Sequence, residues 1–419
     1  MASLQVVTTF VQAYNLRHLH NTWTNCPSFI SLNRHGDEFA SPNLNMSRGS
    51  RLSVARAGGC PFGFKSPIGK GNREFSVETN VAAIASPFMN TQDTLAPSSD
   101  APDSVNLGPG TYEYLPLTVP FRMTMGTEPL NMKDWIEIDI FYDEEMALRR
   151  EILKSRKEVA IVSRPEAVEA NWEALELVAE FLPMRFPTRF RRDGGMLCNL
   201  TTGERFNIND KSLDPLQVLP RLIQEDVCLL MKVDGSFRLV SGAVLFPQRW
   251  SLLEKMGMDI ASIHLPVPLF ADEIGSAVNQ FMTRLKVGKP VWRANWAIVD
   301  DPTLFQPLLE EDIYAALRGQ VKENFDFAAH KCVNVGSRLY TRCERETLMR
   351  LPKTGAILFT IRTYIRPLSV FESRPMLAQQ MVRAVETLPE SITKYKIMAG
   401  FYDVALQYLR ECASRPVES

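Results

Sequence analysis

The chain has 419 residues, 45% of them hydrophobic and 23% charged, which is ordinary for a folded globular protein. Its formal net charge of -1 gives no electrostatic footing for binding a phosphate backbone, so no nucleic-acid partner is expected. Seven cysteines (Cys26, Cys60, Cys198, Cys228, Cys332, Cys343 and Cys412) stand singly, which argues against a disulfide scaffold and for a reducing compartment. There is no CxxC pair, ferredoxin-type cysteine cluster or HExxH, and the apolar runs fall well short of the roughly 20 residues that cross a bilayer. A soluble chain without a zinc or iron–sulfur site and without a membrane span is expected.

Residues 1–105 differ from the rest. Up to Arg73 they carry six Arg and two Lys against only Asp37 and Glu38, with many hydroxylated residues and glycines at 58, 59, 69 and 71. This pattern fits either an organelle transit peptide or a disordered extension without a targeting role. The protein is accordingly read as cytoplasmic, or as mitochondrial or plastidic if the extension is a transit peptide. Ser86 to Pro109 reads as a linker, and residues 106–419 as the folded domain.

Within that domain, residues 143–161 and 164–182 are predicted helices. In the second, Val168, Trp172, Leu175, Val178 and Leu182 form an apolar stripe, Glu169, Glu173, Glu176 and Glu180 lie off it, and Pro183 marks the end. The period then shifts to two. Val227–Val233 and Phe237–Phe246 flank Asp234-Gly235, a hairpin signal. Val291–Val299, Leu339–Glu346 and Ile357–Arg366 are further strands. Helices are predicted at Trp250–Met256, Glu273–Leu285, 375–388 and 391–412. Hairpins with inserted and flanking helices predict an α+β fold with a mainly antiparallel sheet.

One stretch stands out: Phe246-Pro-Gln-Arg-Trp250, then Glu254-Lys255-Met-Gly257, then Ile263-His264-Leu-Pro-Val-Pro268. His264 follows an apolar segment and precedes two prolines, which fix the backbone and hold the imidazole on a stiff connection. Such a residue reads either as a core histidine or as an axial metal ligand. The only other domain histidine, His330, sits in a polar stretch and reads as a surface residue. Two histidines cannot build a three-His centre, whereas one suffices for haem.

Five blocks in order then carry a resemblance: Phe121-Arg-Met-Thr-Met-Gly126 with Trp135-Ile-Glu-Ile-Asp139, the FPxRW…EKxG…IHxPVP run, Arg293-Ala-Asn-Trp296, Arg342-Cys-Glu-Arg-Glu-Thr-Leu348, and Arg350-Leu-Pro352. From about Pro120 to the C-terminus the chain resembles the haem-dependent oxidative N-demethylase α-subunit-like family. The resemblance implies a PAS-like core holding haem b through a histidine, His264 here. It also implies O2-dependent N-demethylation of a small alkylamine with release of formaldehyde. Electrons would come from NADPH through a flavin and iron–sulfur reductase, which must be a separate chain because the ferredoxin cysteines are missing.

Other roles are read from charge and placement. Arg293 and Arg345 are either partners for the haem propionates or members of structural salt bridges. Trp250 and Trp296 either pack on the macrocycle or belong to the core. Glu344 and Asp300 either offset the charge of an alkylammonium substrate or pair with a nearby Arg. A non-enzymatic haem or gas sensor with the same core is the alternative to the enzyme.

Overall fold

The computed structural model describes residues 114, 115, 117, 119–309, 334–396 and 400–416, all within one compact unit. The expected extension 1–105, and His330, lie outside the described residues. The two-residue β1 (Glu128–Pro129) is followed by α1 (Tyr142–Ser155), α2 (Lys157–Ala160), β2 (Ile161–Ser163) and α3 (Val168–Arg185). A meander of β3 (Phe190–Asp193), β4 (Met196–Asn199) and β5 (Arg205–Asn207) and the short α4 (Pro215–Val218) precede β6 (Asp226–Val233) and β7 (Ser236–Ala243). Next come β8 (Gln248–Trp250), α5 (Leu252–Lys255), α6 (Ile260–Ile263), a π turn at Phe270–Ile274 and α7 (Gly275–Arg284). The strands end with β9 (Val291–Val299), β10 (Gln306–Pro307), β11 (Tyr340–Arg350) and β12 (Ile357–Pro367), with α8 (Val335–Arg338) between the last two pairs. Helices α9 (Pro375–Glu386), α10 (Glu390–Tyr395) and α11 (Tyr402–Ala413) follow.

The main sheet runs β1-β9-β11-β12-β6-β7-β2 with antiparallel pairing throughout, so the expected α+β class and antiparallel sheet are what the chain adopts. Asp234 and Gly235 turn the β6–β7 hairpin with φ of 51° and 85°, the two positive values that match the twist of paired strands. The meander β3–β5 was not among the predicted strands; it is short, and Arg191, Arg192 and Asp193 leave it little apolar alternation to read.

The second helix departs from its predicted stripe. Val168 is exposed, whereas Ala170, Ala174, Leu177, Ala179 and Phe181 are buried around most of the circumference, so α3 is a core helix rather than an amphipathic one. It also runs through Pro183 to Arg185. Glu173 is buried because its carboxylate accepts from the Lys353 and Thr354 amides at 2.6 and 2.8 Å and from Thr354 Oγ1 at 2.6 Å, which holds the β11–β12 turn.

Register fixes two faces of the sheet. Across β9 and β11, Arg293 opposes Glu346, Asn295 opposes Glu344 and Ala297 opposes Arg342, and all point to one side. Leu230, Leu348 and Ile357 on that side pack with Ile260, Phe270, Val278 and Met282 from the segment between β8 and β9. The opposite face packs on α3 through Val227, Leu229 and Leu358, and Trp296 and Ile298 pack on α9 and α11.

That opposite face carries a buried ion network. Arg362, fully buried, donates at 2.8 Å to both Asp139 and Glu145, and Gln224 Nε2 donates at 2.9 Å to the same two carboxylates. A second buried pair joins Arg149 to Asp226 at 2.9 Å at the start of β6, in register with Ile361 and Glu346, and Asp226 accepts from the Leu245 and Phe246 amides at 2.9 and 2.8 Å. The network thereby anchors the chain just where the Phe246–Trp250 segment begins. Arg362→Met would leave two carboxylates buried without their cation, and should cost about 3–5 kcal/mol. Chemical denaturation checks this; a loss below about 1 kcal/mol, the range of a surface change, would mean that the network is dispensable.

Candidate functional site

His264 caps α6. Asp259 opens that turn by accepting from the Ser262 amide at 2.8 Å, and the His264 amide closes on Ile260 O at 3.2 Å. Pro266 and Pro268 follow, and Leu269 adopts φ +67°, a left-handed value costly for leucine, to enter the π turn. The turn brings the Phe270 ring flat against the imidazole, with centroids 4.3 Å apart and planes at 9°.

The imidazole Nδ1 lies 2.8 Å from Ile260 O, a carbonyl that can only accept, so Nδ1 carries the proton and Nε2 keeps its lone pair. No hydrogen bond from the described residues reaches Nε2. Burial pushes the His264 pKa down from 6.5 to about 4; the Ile260 carbonyl opposes this, and the charges of Lys255 and Arg293 add to it. At neutral pH the ring is therefore neutral, with its free nitrogen in the form that binds a metal.

Lys255, at the end of α5, donates to Ile263 O at 2.8 Å and lies 5.7 Å from the centre of the Trp250 ring. Burial lowers its pKa to about 8, against the pull of Glu254. Trp250 is half-buried against the same apolar cluster as Phe270. Arg293 pairs with Glu346 at 3.3 Å, and its Nε is buried without a hydrogen-bond partner. Burial raises the Glu346 carboxyl, with Arg293 opposing. Glu344 accepts from Arg342 Nε at 3.3 Å. Lys396, just after α10, reaches the open edge of β9, donating to Asn295 Oδ1 at 3.0 Å and to Trp296 O. Burial lowers its pKa to about 8, while Glu344 raises it.

The structure thus brings His264, Trp250, Arg293 and Glu344 to one side of the sheet. It does not bring Arg345 or Trp296 there. Arg345 sits on the other face, 3.5 Å from Glu137 and donating to Trp135 O and Asp134 O, because it lies one residue from Glu344 in a strand of period two. Trp296 is buried in the cluster formed with α9 and α11. Asp300 stands just past the end of β9, 3.8 Å from Arg249. Sequence reasoning missed Lys255, Phe270, Asn295, Glu346 and Lys396. The first four lie in or beside segments singled out above, whereas Lys396 comes from a distant helix and left no signal.

The fold and site define an α+β protein with a single-histidine mount beside cations, on one face of an antiparallel sheet. A family model described as haem-dependent oxidative N-demethylase, alpha subunit-like, matches residues 126–406. The chain belongs to this family. Its name implies haem dependence, and the residues fit that group. A macrocycle with two carboxylates and one iron asks for a neutral imidazole with a free nitrogen and for nearby cations, here His264 with the partly buried Lys255 and Arg293. Among the described residues there is no cluster of three or more His, Cys, Asp or Glu to hold a bare metal ion, and no helix is long and apolar enough to cross a membrane.

The depressed His264 pKa has a pH consequence. Between about pH 6.5 and pH 4 an unfolded chain holds more protons at this ring than the folded one, so its contribution to stability is complete above pH 6.5 and fades as pH falls toward 4. In the haem-free protein, 15N-resolved imidazole NMR should show the Nδ1–H tautomer persisting down to about pH 4. A ring that protonates near 6.5 would contradict the burial and tautomer described.

Proposed function

We propose that this chain is the haem-binding, oxygen-using subunit of an oxidative N-demethylase, with residues 106–419 as the haem domain and residues 1–105 as an extension. The observation that carries the reading is the His264 ring: proton fixed on Nδ1 by Ile260 O, Nε2 free, pKa depressed. The central strands support a PAS-like core. In chain order they lie second-first-fifth-fourth-third across the sheet (β7-β6-β12-β11-β9), with the His264 segment inserted between the second and the third.

Bound there, haem b would supply O2-dependent oxidation of the C–H bond beside an amine nitrogen, ending in the demethylated amine and formaldehyde. The protein's own groups hold and orient. His264 would hold the group through Nε2, its ring being fixed by the Nδ1–H bond to Ile260 O and by Phe270. Lys255 and Arg293 would meet the carboxylates of the group with charge-assisted hydrogen bonds, and Trp250 would pack beside them. Glu344 faces the same side as Arg293 and offsets the charge of a small alkylammonium substrate. Asp300, held by Arg249, is a second carboxylate within the same segment of the fold. Electrons come from NADPH through a separate flavin and iron–sulfur reductase.

Reconstitution with haem should give a Soret band that His264→Ala abolishes without change in the far-UV circular dichroism. Lys255→Met and Arg293→Met should each weaken haem retention by about tenfold, the worth of one charge-assisted hydrogen bond. With a chemical reductant and O2, short alkylamines should yield formaldehyde. An unchanged Soret band in His264→Ala would remove it as ligand, and tight haem without turnover across an amine panel would favour a sensor.

A further inference from the structure

The sheet face beside His264 presents more charge than a simple alkylammonium needs. At one cross-strand position Asn295 stands opposite Glu344, about 5 Å apart between backbones. Glu344 uses Oε1 for Arg342, and no hydrogen bond from the described residues reaches Oε2. Lys396 spends two of its three donors on Asn295 Oδ1 and Trp296 O, and its ammonium lies 4.9 Å from the centre of the Trp296 ring, with no further hydrogen bond among the described residues. A carboxylate and an ammonium, each with unspent hydrogen-bonding capacity, therefore flank a single residue pair. The two attract across the site, since Glu344 holds the Lys396 pKa up, but Glu344 bonds to Arg342 and no ion pair joins it to Lys396.

A buried ammonium beside the anionic spot would repel a bare alkylammonium and so weaken its binding. A carboxylate on the same substrate molecule turns that repulsion into attraction, and rejects the amine that lacks it. Resting on the N-demethylase reading above, we infer that the substrate is a zwitterion, an N-methylated amino acid. Its ammonium is held by Glu344 and its carboxylate by Lys396. Asn295 keeps the two charges apart and supplies an amide to either. For N-methylglycine the reaction balances as follows. One atom of O2 enters the methyl C–H bond, and the C–N bond then breaks to give glycine and formaldehyde. The second atom leaves as water, with two electrons and two protons from the reductase or a chemical reductant.

The test uses the full-length, haem-loaded protein and calorimetric titration with N-methylglycine, its uncharged-carbonyl analogue N-methylglycinamide, and dimethylamine. N-methylglycine should bind about tenfold or more tightly than the amide, the worth of one charge-assisted contact. In Lys396→Met the two affinities should converge, and Lys396→Arg should keep them apart. Equal wild-type affinity for N-methylglycine and its amide overturns the inference, and that comparison needs no variant. Formaldehyde from dimethylamine but not from N-methylglycine also overturns it, while leaving the demethylase standing. Absence of formaldehyde from every amine, with haem bound and reductant present, overturns the function on which it rests.

Discussion

The period-two alternation of β9 and β11 is the constraint on which the molecule depends. Two short charged runs, Arg293-Ala-Asn-Trp296 and Arg342-Cys-Glu-Arg-Glu346, lie on neighbouring strands in fixed register, so each sends alternate residues to opposite sides. One side receives Arg293, Asn295, Arg342, Glu344 and Glu346. The other receives Arg345, which joins Glu137, and beside it in the sheet Arg362, which joins Asp139 and Glu145. A slip of one residue would exchange the two sets and leave a buried network without its guanidinium groups. The structural ion network and the candidate site thus hold each other in register through the same backbone.

The network also positions the chain beyond the sheet. Asp226 binds Arg149 and, through two backbone amides, fixes Leu245 and Phe246, while Arg342 donates to Phe246 O. The segment that leaves this anchor carries Trp250, Lys255 and His264. Its return is set by Arg350, whose guanidinium donates to Met282 O and Leu285 O at the end of α7 at 2.6 Å each. A long inserted segment with both ends tied to strand residues can carry a rigid imidazole without long regular helices of its own.

Much of this was legible in the sequence. The Asp-Gly turn and the limits of Val291–Val299 follow from period and turn chemistry, and the prolines after His264 mark the stiff mount. The rest was hidden for physical reasons. Arg345 reads like Arg293 in composition, and only strand parity separates them. Glu173 and Val168 exchange their expected environments because Glu173 finds buried amide donors at a distant turn. Lys396 reaches the β9 edge from a helix about a hundred positions away in sequence, a contact that no local pattern encodes.

The charges around His264 couple whatever fills the site to the donor strength of its ring. Lys255 and Arg293 help to hold the imidazole pKa down. An anionic group that pairs with those two cations cancels their field at the ring and so raises the basicity of Nε2 while leaving the Nδ1–H bond to Ile260 intact. The same anion relieves the desolvation borne by Lys255 and gives a partner to the buried Arg293 Nε. On the proposed reading, binding the carboxylates of a ligand and binding its metal would therefore reinforce each other at this site. A neutral macrocycle, or a lone cation offered to His264, would gain only one of the two contributions.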